Sequence, residues 1–274
     1  MIIDYSTFKP TIQMLKDAGV TAVGRYIGWD SVPGYQSMGK NITKEEADNL
    51  TRNGISVFLS FEYGAAAALS GAAQGTKDGK LASQQLSDLG APAGMTIYFA
   101  IDVDISDYAP SSTNPRAKLG PAADYFDAIN ALKPGYRVGV YGGFYAVSRV
   151  LSAGLATMGW QTVAWSGGQW DDRAVLRQLG GQVWGNNADV NTHVGAGDFG
   201  QWPRPPAPAA GPKQFNADGH TSLHAVAQQH GLSVSELLWI TAQHKPGGYG
   251  PVEVPYINAG QWDANMPVGM VFWA

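Results

Sequence analysis

Six short apolar runs, separated by stretches with helical spacing, constrain this chain more than any other feature. They are MIID from Met1, AVGRYI from Ala22, SVFLSFE from Ser56, TIYFAIDVD from Thr96, RVGVYGG from Arg137 and TVAWS from Thr162. Two weaker candidates follow, VLRQL from Val175 and ADVNTH from Ala188. The intervals carry helix signals. Thr43 with Glu46 three residues later is a capping box, and its helix should end near Asn53 and Gly54. Lys80 to Leu89 runs into Gly90 and Pro92, and Pro121 to Leu132 precedes Pro134 and Gly135. Strands alternating with helices argue for parallel βα units. Eight strand candidates in about 200 residues predict an α/β fold, a (β/α)8 TIM barrel with short last units. The competing doubly wound sheet places a glycine-rich phosphate loop after its first strand, and DYSTFKP is not one.

One composition break divides the chain. Between Pro203 and Pro212, five residues are proline, so the segment reads as an extended spacer. The expected domains are therefore a barrel over 1–202, a Pro/Ala-rich linker over 203–212 and a small module over 213–274. In that module TSLHAVAQQHG forms a short helix capped by Ser222 and stopped by Gly231. A second helix begins at Ser233, with Glu236 completing another capping box. Phe215 and the stretch from Met270 to Trp273 supply strands, which makes a βααβ module of binding size.

Charge and composition exclude several functions. Eighteen basic residues against 22 acidic ones give a net charge of −4 with no basic run, which argues against nucleic-acid binding. The chain has no cysteine, so disulfides, thiolate nucleophiles and cysteine-bound zinc all fall. No stretch of 18 apolar residues occurs, so no membrane insertion is expected. MIIDYSTFKP lacks the basic and apolar parts of a signal peptide, so synthesis in the cytoplasm followed by release is expected.

The acids fall at the ends of the apolar runs. Asp4 closes the first, Glu62 the third, Asp102 and Asp104 the fourth, and Asp189 lies in the last. In a (β/α)8 barrel the strand ends converge on one face, where the active site is built. Crowded carboxylates resist ionising together, so one keeps a proton beside an ionised neighbour. That pairing is what glycosidic cleavage needs. Asp102 and Asp104 are two apart and point the same way if the strand continues to 104. A single acid at a strand end is ordinarily a turn or cap residue. Acids at four strand ends favour a site. His193 is the sole histidine before the spacer and no HExxH is present, so zinc is not expected. Magnesium or calcium is left open, and no cofactor is expected. Tyr26, Tyr141 and Trp165 accompany the acids and suit sugar rings, with core or rim packing as the plainer role. Arg25 on the second strand is a candidate clamp for a carboxylate.

With IDYS, GRYIGW, SFEYG, IYFAIDVD, GVYGG, VAWS, LRQLG and ADVNTH in this order from Met1 to Phe199, the chain resembles a known group. It is similar to the glycoside-hydrolase-like barrels of actinobacteria and their phages, relatives of the family 25 lysozyme-like muramidases. The resemblance implies cleavage of the peptidoglycan backbone. It also implies active-site roles for Asp4, Asp189 and Asn191, Gln178, Tyr141 and Trp165. The fourth strand departs from the family's Asp-x-Glu, because this chain reads Asp102-Val-Asp104. By position Asp104 is then the expected proton donor, with Asp102 ionised beside it and Glu62 as the alternative donor. FNADGHTSLHAVAQQHGLSVSELLWIT and MPVGMVFW resemble a LysM module, which implies binding of glycans containing N-acetylglucosamine. The whole plan resembles a cell-wall lytic enzyme, most simply a phage endolysin. A non-catalytic wall-glycan binder with a degenerate barrel is the alternative, and a virion structural role a third.

Overall fold

Eight strands close into a barrel in sequence order in the computed structural model. The structure describes residues 1–29, 39–108, 111–195 and 197–203. Beyond these it describes 214–216, 220–229, 234, 237–238, 241, 264–266 and 271–273. The strands are β1 (Ile2–Asp4), β2 (Ala22–Ile27), β3 (Ser56–Phe61), β4 (Thr96–Ile101), β5 (Arg137–Gly142), β6 (Met158–Thr162), β7 (Ala174–Val183) and β8 (Ala188–His193). Helices α1 (Ile12–Asp17), α2 (Lys44–Arg52), α3 (Ala72–Leu89), α4 (Pro121–Ala131) and α5 (Phe144–Ser152) follow the first five strands in turn.

The expected alternating (β/α)8 TIM barrel is corrected here. Neighbours from β1 to β7 pair in parallel, but β8 is antiparallel to both β7 and β1. The physical reason is the length of one connection. Residues 184–187 form the turn between β7 and β8, and a parallel crossover needs a dozen or more residues. The connection from β6 to β7 is built of turns and bends and carries no helix.

Side-chain alternation sorts the strands into two cores. Ile3, Val23, Val57, Phe61, Phe99 and Val140 face outward into the apolar layer beneath the helices. Ala22, Phe58, Tyr98, Trp160, Leu176 and Phe199 fill the interior. Phe58 on β3 meets Trp160 on β6 edge-on at 5.0 Å, a contact that crosses the barrel. This aromatic layer makes a floor, and the interior positions nearer the opposite end are free to carry polar groups.

Two elements differ in extent from the sequence expectation. Helix α3 begins at Ala72 rather than near Lys80, running through Gly75 and Gly79. A β-carbon on Gly75 would lie 2.2 Å from the Tyr125 carbonyl oxygen of α4, so these glycines allow close helix packing and are not breakers. The sixth strand is MGWQT rather than TVAWS, which brings Trp160 inside and leaves Trp165 in the following loop.

The chain divides into two compact units, Met1–Pro205 and Pro206–Ala274. In the second, β9 (Gln214–Asn216) pairs antiparallel with β10 (Val271–Trp273). Helix α6 (Leu223–Gln229) is capped by Ser222, whose Oγ accepts from the Ala225 N–H at 3.1 Å, and it buries Leu223, Val226 and Ala227. Most of the spacer and of the helix expected from Ser233 lies outside the described residues. Among the described residues no helix is long and apolar enough to cross a membrane.

Candidate active site

Asp4, Tyr26 and Tyr141 occupy interior positions near the carboxyl ends of β1, β2 and β5, while Glu62 and Asp102 directly follow β3 and β4. Asp189 reaches the same end by a different route. Because β8 runs backwards, its first residues lie where the other strands finish, and Asp189 is the register partner of Asp4. The reversal that overturns the expected fold thus leaves this carboxylate in the cluster.

A chain of hydrogen bonds fixes Asp4, which is 2% exposed. Its Oδ2 accepts from Gln178 Nε2 at 2.9 Å and from Asn191 Nδ2 at 2.7 Å. The indole N–H of Trp160 donates to Asn191 Oδ1 at 2.8 Å, and the Tyr141 hydroxyl donates to Gln178 Oε1 at 2.8 Å. An indole nitrogen can only donate, so Trp160 dictates which end of the Asn191 amide faces Asp4. Burial outweighs these donors and, with Asp189 nearby, raises the Asp4 carboxyl to about 7.

Glu62 and Asp102 form a second acid pair. Burial, then the Glu62 charge, raises Asp102 to about 6, while Lys40 pulls it down. Lys40 Nζ lies 2.8 Å from Glu62 Oε2. Tyr26 and Tyr141 are both held well above the ordinary phenol value, first by burial and then by Asp4, Glu62 and Asp102 together. The two hydroxyls therefore lie within the field of both acid pairs. Among the described residues no three His, Cys, Asp or Glu side chains are arranged to hold a metal ion.

Three of the candidates lie apart from this group. Asp104 is exposed, because β4 ends at Ile101 and the chain turns. Its Oδ1 accepts from the Ser106 N–H at 2.8 Å, which keeps its carboxyl below the usual range. The condition for Asp102 and Asp104 to share a direction is not met. Arg25 points outward, with the parity of Val23 and Ile27, and is fully buried under α2. Its guanidinium donates to Glu46 at 2.6 and 3.3 Å and to the Tyr5 and Ser6 carbonyls. Trp165 is 39% exposed in the loop after β6, with a left-handed backbone at φ 53°. Ser166 anchors that loop by donating to the Thr162 carbonyl and accepting from the Phe144 N–H.

Sequence reasoning passed over Lys40 and Trp160. Lys40 sits alone between Gly39 and Asn41 with no motif around it, so nothing local flags it. Trp160 was legible in principle, since shifting the sixth strand by four residues exchanges it for Trp165 as the strand's tryptophan.

Comparison with known proteins gives the site a setting. The family model described as "Rv2525c-like, glycoside hydrolase-like domain" matches residues 13–199. The chain is 26% identical over 209 residues to Rv2525c of Mycobacterium tuberculosis, covering 73% of this chain and 83% of that protein. That relative's name carries a provisional assignment as a peptidoglycan hydrolase. A crystal structure of Rv2525c in complex with HEPES superimposes with a TM-score of 0.62, covering 73% of this chain and 98% of that one, at 26% identity. YbfG of Bacillus subtilis, an uncharacterised protein, is 31% identical over 153 residues, or 52% of this chain and 20% of its own length. The expectation of a chain made without a signal peptide and released at lysis is corrected by the crystallised relative, which is a Tat-secreted protein. A leader is a separate segment removed on export, so the opening residues of a barrel carry no information about route.

Proposed function

The chain belongs to the Rv2525c-like family of glycoside hydrolase-like domains, and on that premise we propose that its barrel hydrolyses the glycan strands of bacterial peptidoglycan. The observation that carries this reading is the meeting of two acid pairs at one end of the barrel, with Asp102 keeping its proton to about pH 6. In this reading Asp102, not Asp104, gives its proton to the leaving oxygen as the glycosidic bond breaks, with the Glu62 carboxyl beside it. Asp189 activates water, and Asp4, oriented by Gln178 and Asn191, completes the second pair. Tyr26, Tyr141 and Trp165 contact the sugar rings. The provisional name of the mycobacterial relative supports the choice of peptidoglycan.

The second compact unit serves in this reading as a LysM-like module that holds the barrel on wall glycan. The resemblance of its sequence, the β9–β10 pair and the capped helix α6 support that assignment. Tethering raises the effective concentration of substrate at the barrel.

The test is release of new reducing ends from purified cell walls. The wild-type protein should produce them, and Asp102→Asn should lose about 10²–10⁴ in rate while remaining folded. One observation favours a non-catalytic binder, namely that Asp104 is turned away from the position the muramidase pattern gives to its acid. Tight binding to insoluble walls with no reducing ends would establish that second reading and sink the first.

A further inference from the structure

Lys40 brings a positive charge into the mouth of the barrel, and its surroundings are built to hold it there. Its Nζ lies 2.8 Å from Glu62 Oε2, with the two side chains only 13% and 10% exposed. The same ammonium stands 4.1 Å from the ring centroid of Tyr26 and 3.9 Å from that of Trp29. Two aromatic faces and a carboxylate together give a cation a defined seat, because each ring presents a negative face to it. A surface ion pair lacks such walls and is easily screened.

We propose that Lys40 is a positioning residue that keeps Glu62 ionised and so assigns the proton of the Glu62–Asp102 pair to Asp102. Two carboxyls in one half-buried volume cannot both ionise cheaply, and without a bias either can keep the proton. Lys40 supplies the bias because it bonds to Glu62. Among the described residues, Lys40 acts on the pair directly, the Tyr26 and Tyr141 phenols on β2 and β5 lie within the field of both its acids, and Asp4 on β1 and Asp189 on β8 stand at the same end of the barrel. The phenols are neutral where the acids titrate, so among these groups Lys40 is the one whose charge favours a carboxylate. Arg25, outside the barrel wall, acts on Asp4. The inference deepens the glycosidase reading and rests on it for the use made of the proton, not for where the proton sits.

The experiment is a carbon-13 carboxyl titration of the full chain, labelled at Asp and Glu, without any glycan. It compares wild type with Lys40→Met, Lys40→Gln and Lys40→Arg, each checked for folding by circular dichroism. In the wild type the Asp102 signal should move near pH 6 while Glu62 does not. In the Met and Gln variants the Glu62 and Asp102 signals should move together, with a midpoint higher by about one unit or more. Lys40→Arg keeps a cation on the rings and should restore the wild-type pattern. Unchanged Glu62 and Asp102 titration in the folded Met or Gln variant overturns the proposal, as does an Arg variant that titrates like them. A wild-type protein that cleaves no glycan would sink the glycosidase reading alone, since the titration decides the role of Lys40 without turnover. If the protein is active, the alkaline limb of its pH profile should shift upward in Lys40→Met by the same interval.

Discussion

Asp4 shows how a residue's chemistry departs from its type. Burial holds its carboxyl to about 7 in the folded chain, against 3.8 for the free side chain. Between those values the folded state keeps a proton that the unfolded chain has released, so stability falls as pH rises through that window. The interval corresponds to roughly 4 kcal/mol. Asp4→Asn is uncharged throughout, so urea unfolding at pH 5 and pH 8, which spans about two of those pH units, should show a smaller loss for the variant, by up to ~3 kcal/mol. Asp78 and Asp102, each raised to about 6, act in the same direction in both proteins and drop out of the comparison. An equal loss in the two proteins would mean that Asp4 is ionised across the range. The acids at strand ends were legible as a group. Which of them is dry, proton-bearing or solvated was not, because Asp102 and Asp104 differ only in where β4 stops.

At the scale of elements, α2 carries the clearest trade. Thr43 caps it as the sequence implies, accepting from the Glu46 N–H at 3.1 Å. The Glu46 carboxylate, which a complete capping box would turn back to the cap, bonds instead to Arg25, Lys9 and Tyr5. It thereby pins α2 onto β2, and its carboxyl stays below the usual range because the Arg25 and Lys9 contacts outweigh burial. Glu46→Ala leaves a fully buried guanidinium without its carboxylate and should cost about 3–5 kcal/mol in chemical denaturation. A loss under 1 kcal/mol would show that the Tyr5 and Ser6 carbonyls suffice for Arg25. The capping box was readable because it is local. The partner of Arg25, 21 residues away, was not.

For the molecule as a whole, barrel and tail are separate compact units, and the proposed division of labour can be tested by cutting between them. Trp202 exchanges backbone hydrogen bonds with Val57 at 2.7 Å in both directions, so the barrel keeps its closing residues if the cut follows Pro205. The 1–205 fragment should melt cooperatively, because boundaries between domains cross few contacts. It should also lose most of its retention on insoluble cell walls. Retention equal to that of the full chain would remove the tail from wall binding, and a fragment that fails to fold would remove the modular reading.

The sequence by itself determined what is local. Apolar runs and caps placed most of the strands and helices, because hydrophobic periodicity and terminal hydrogen bonding act over a few residues. The eighth strand needed more than that pattern. ADVNTH reads as a strand in either direction, and only the length of the turn at 184–187 and closure against β1 chose the antiparallel one. The site likewise needed the closed barrel. Asp4 meets Gln178 and Asn191 from 174 and 187 residues away. Lys40 finds Glu62 across 22. Contacts at such separations are chosen by closure of the sheet and by the fields of buried charges, neither of which is written in any single stretch of chain.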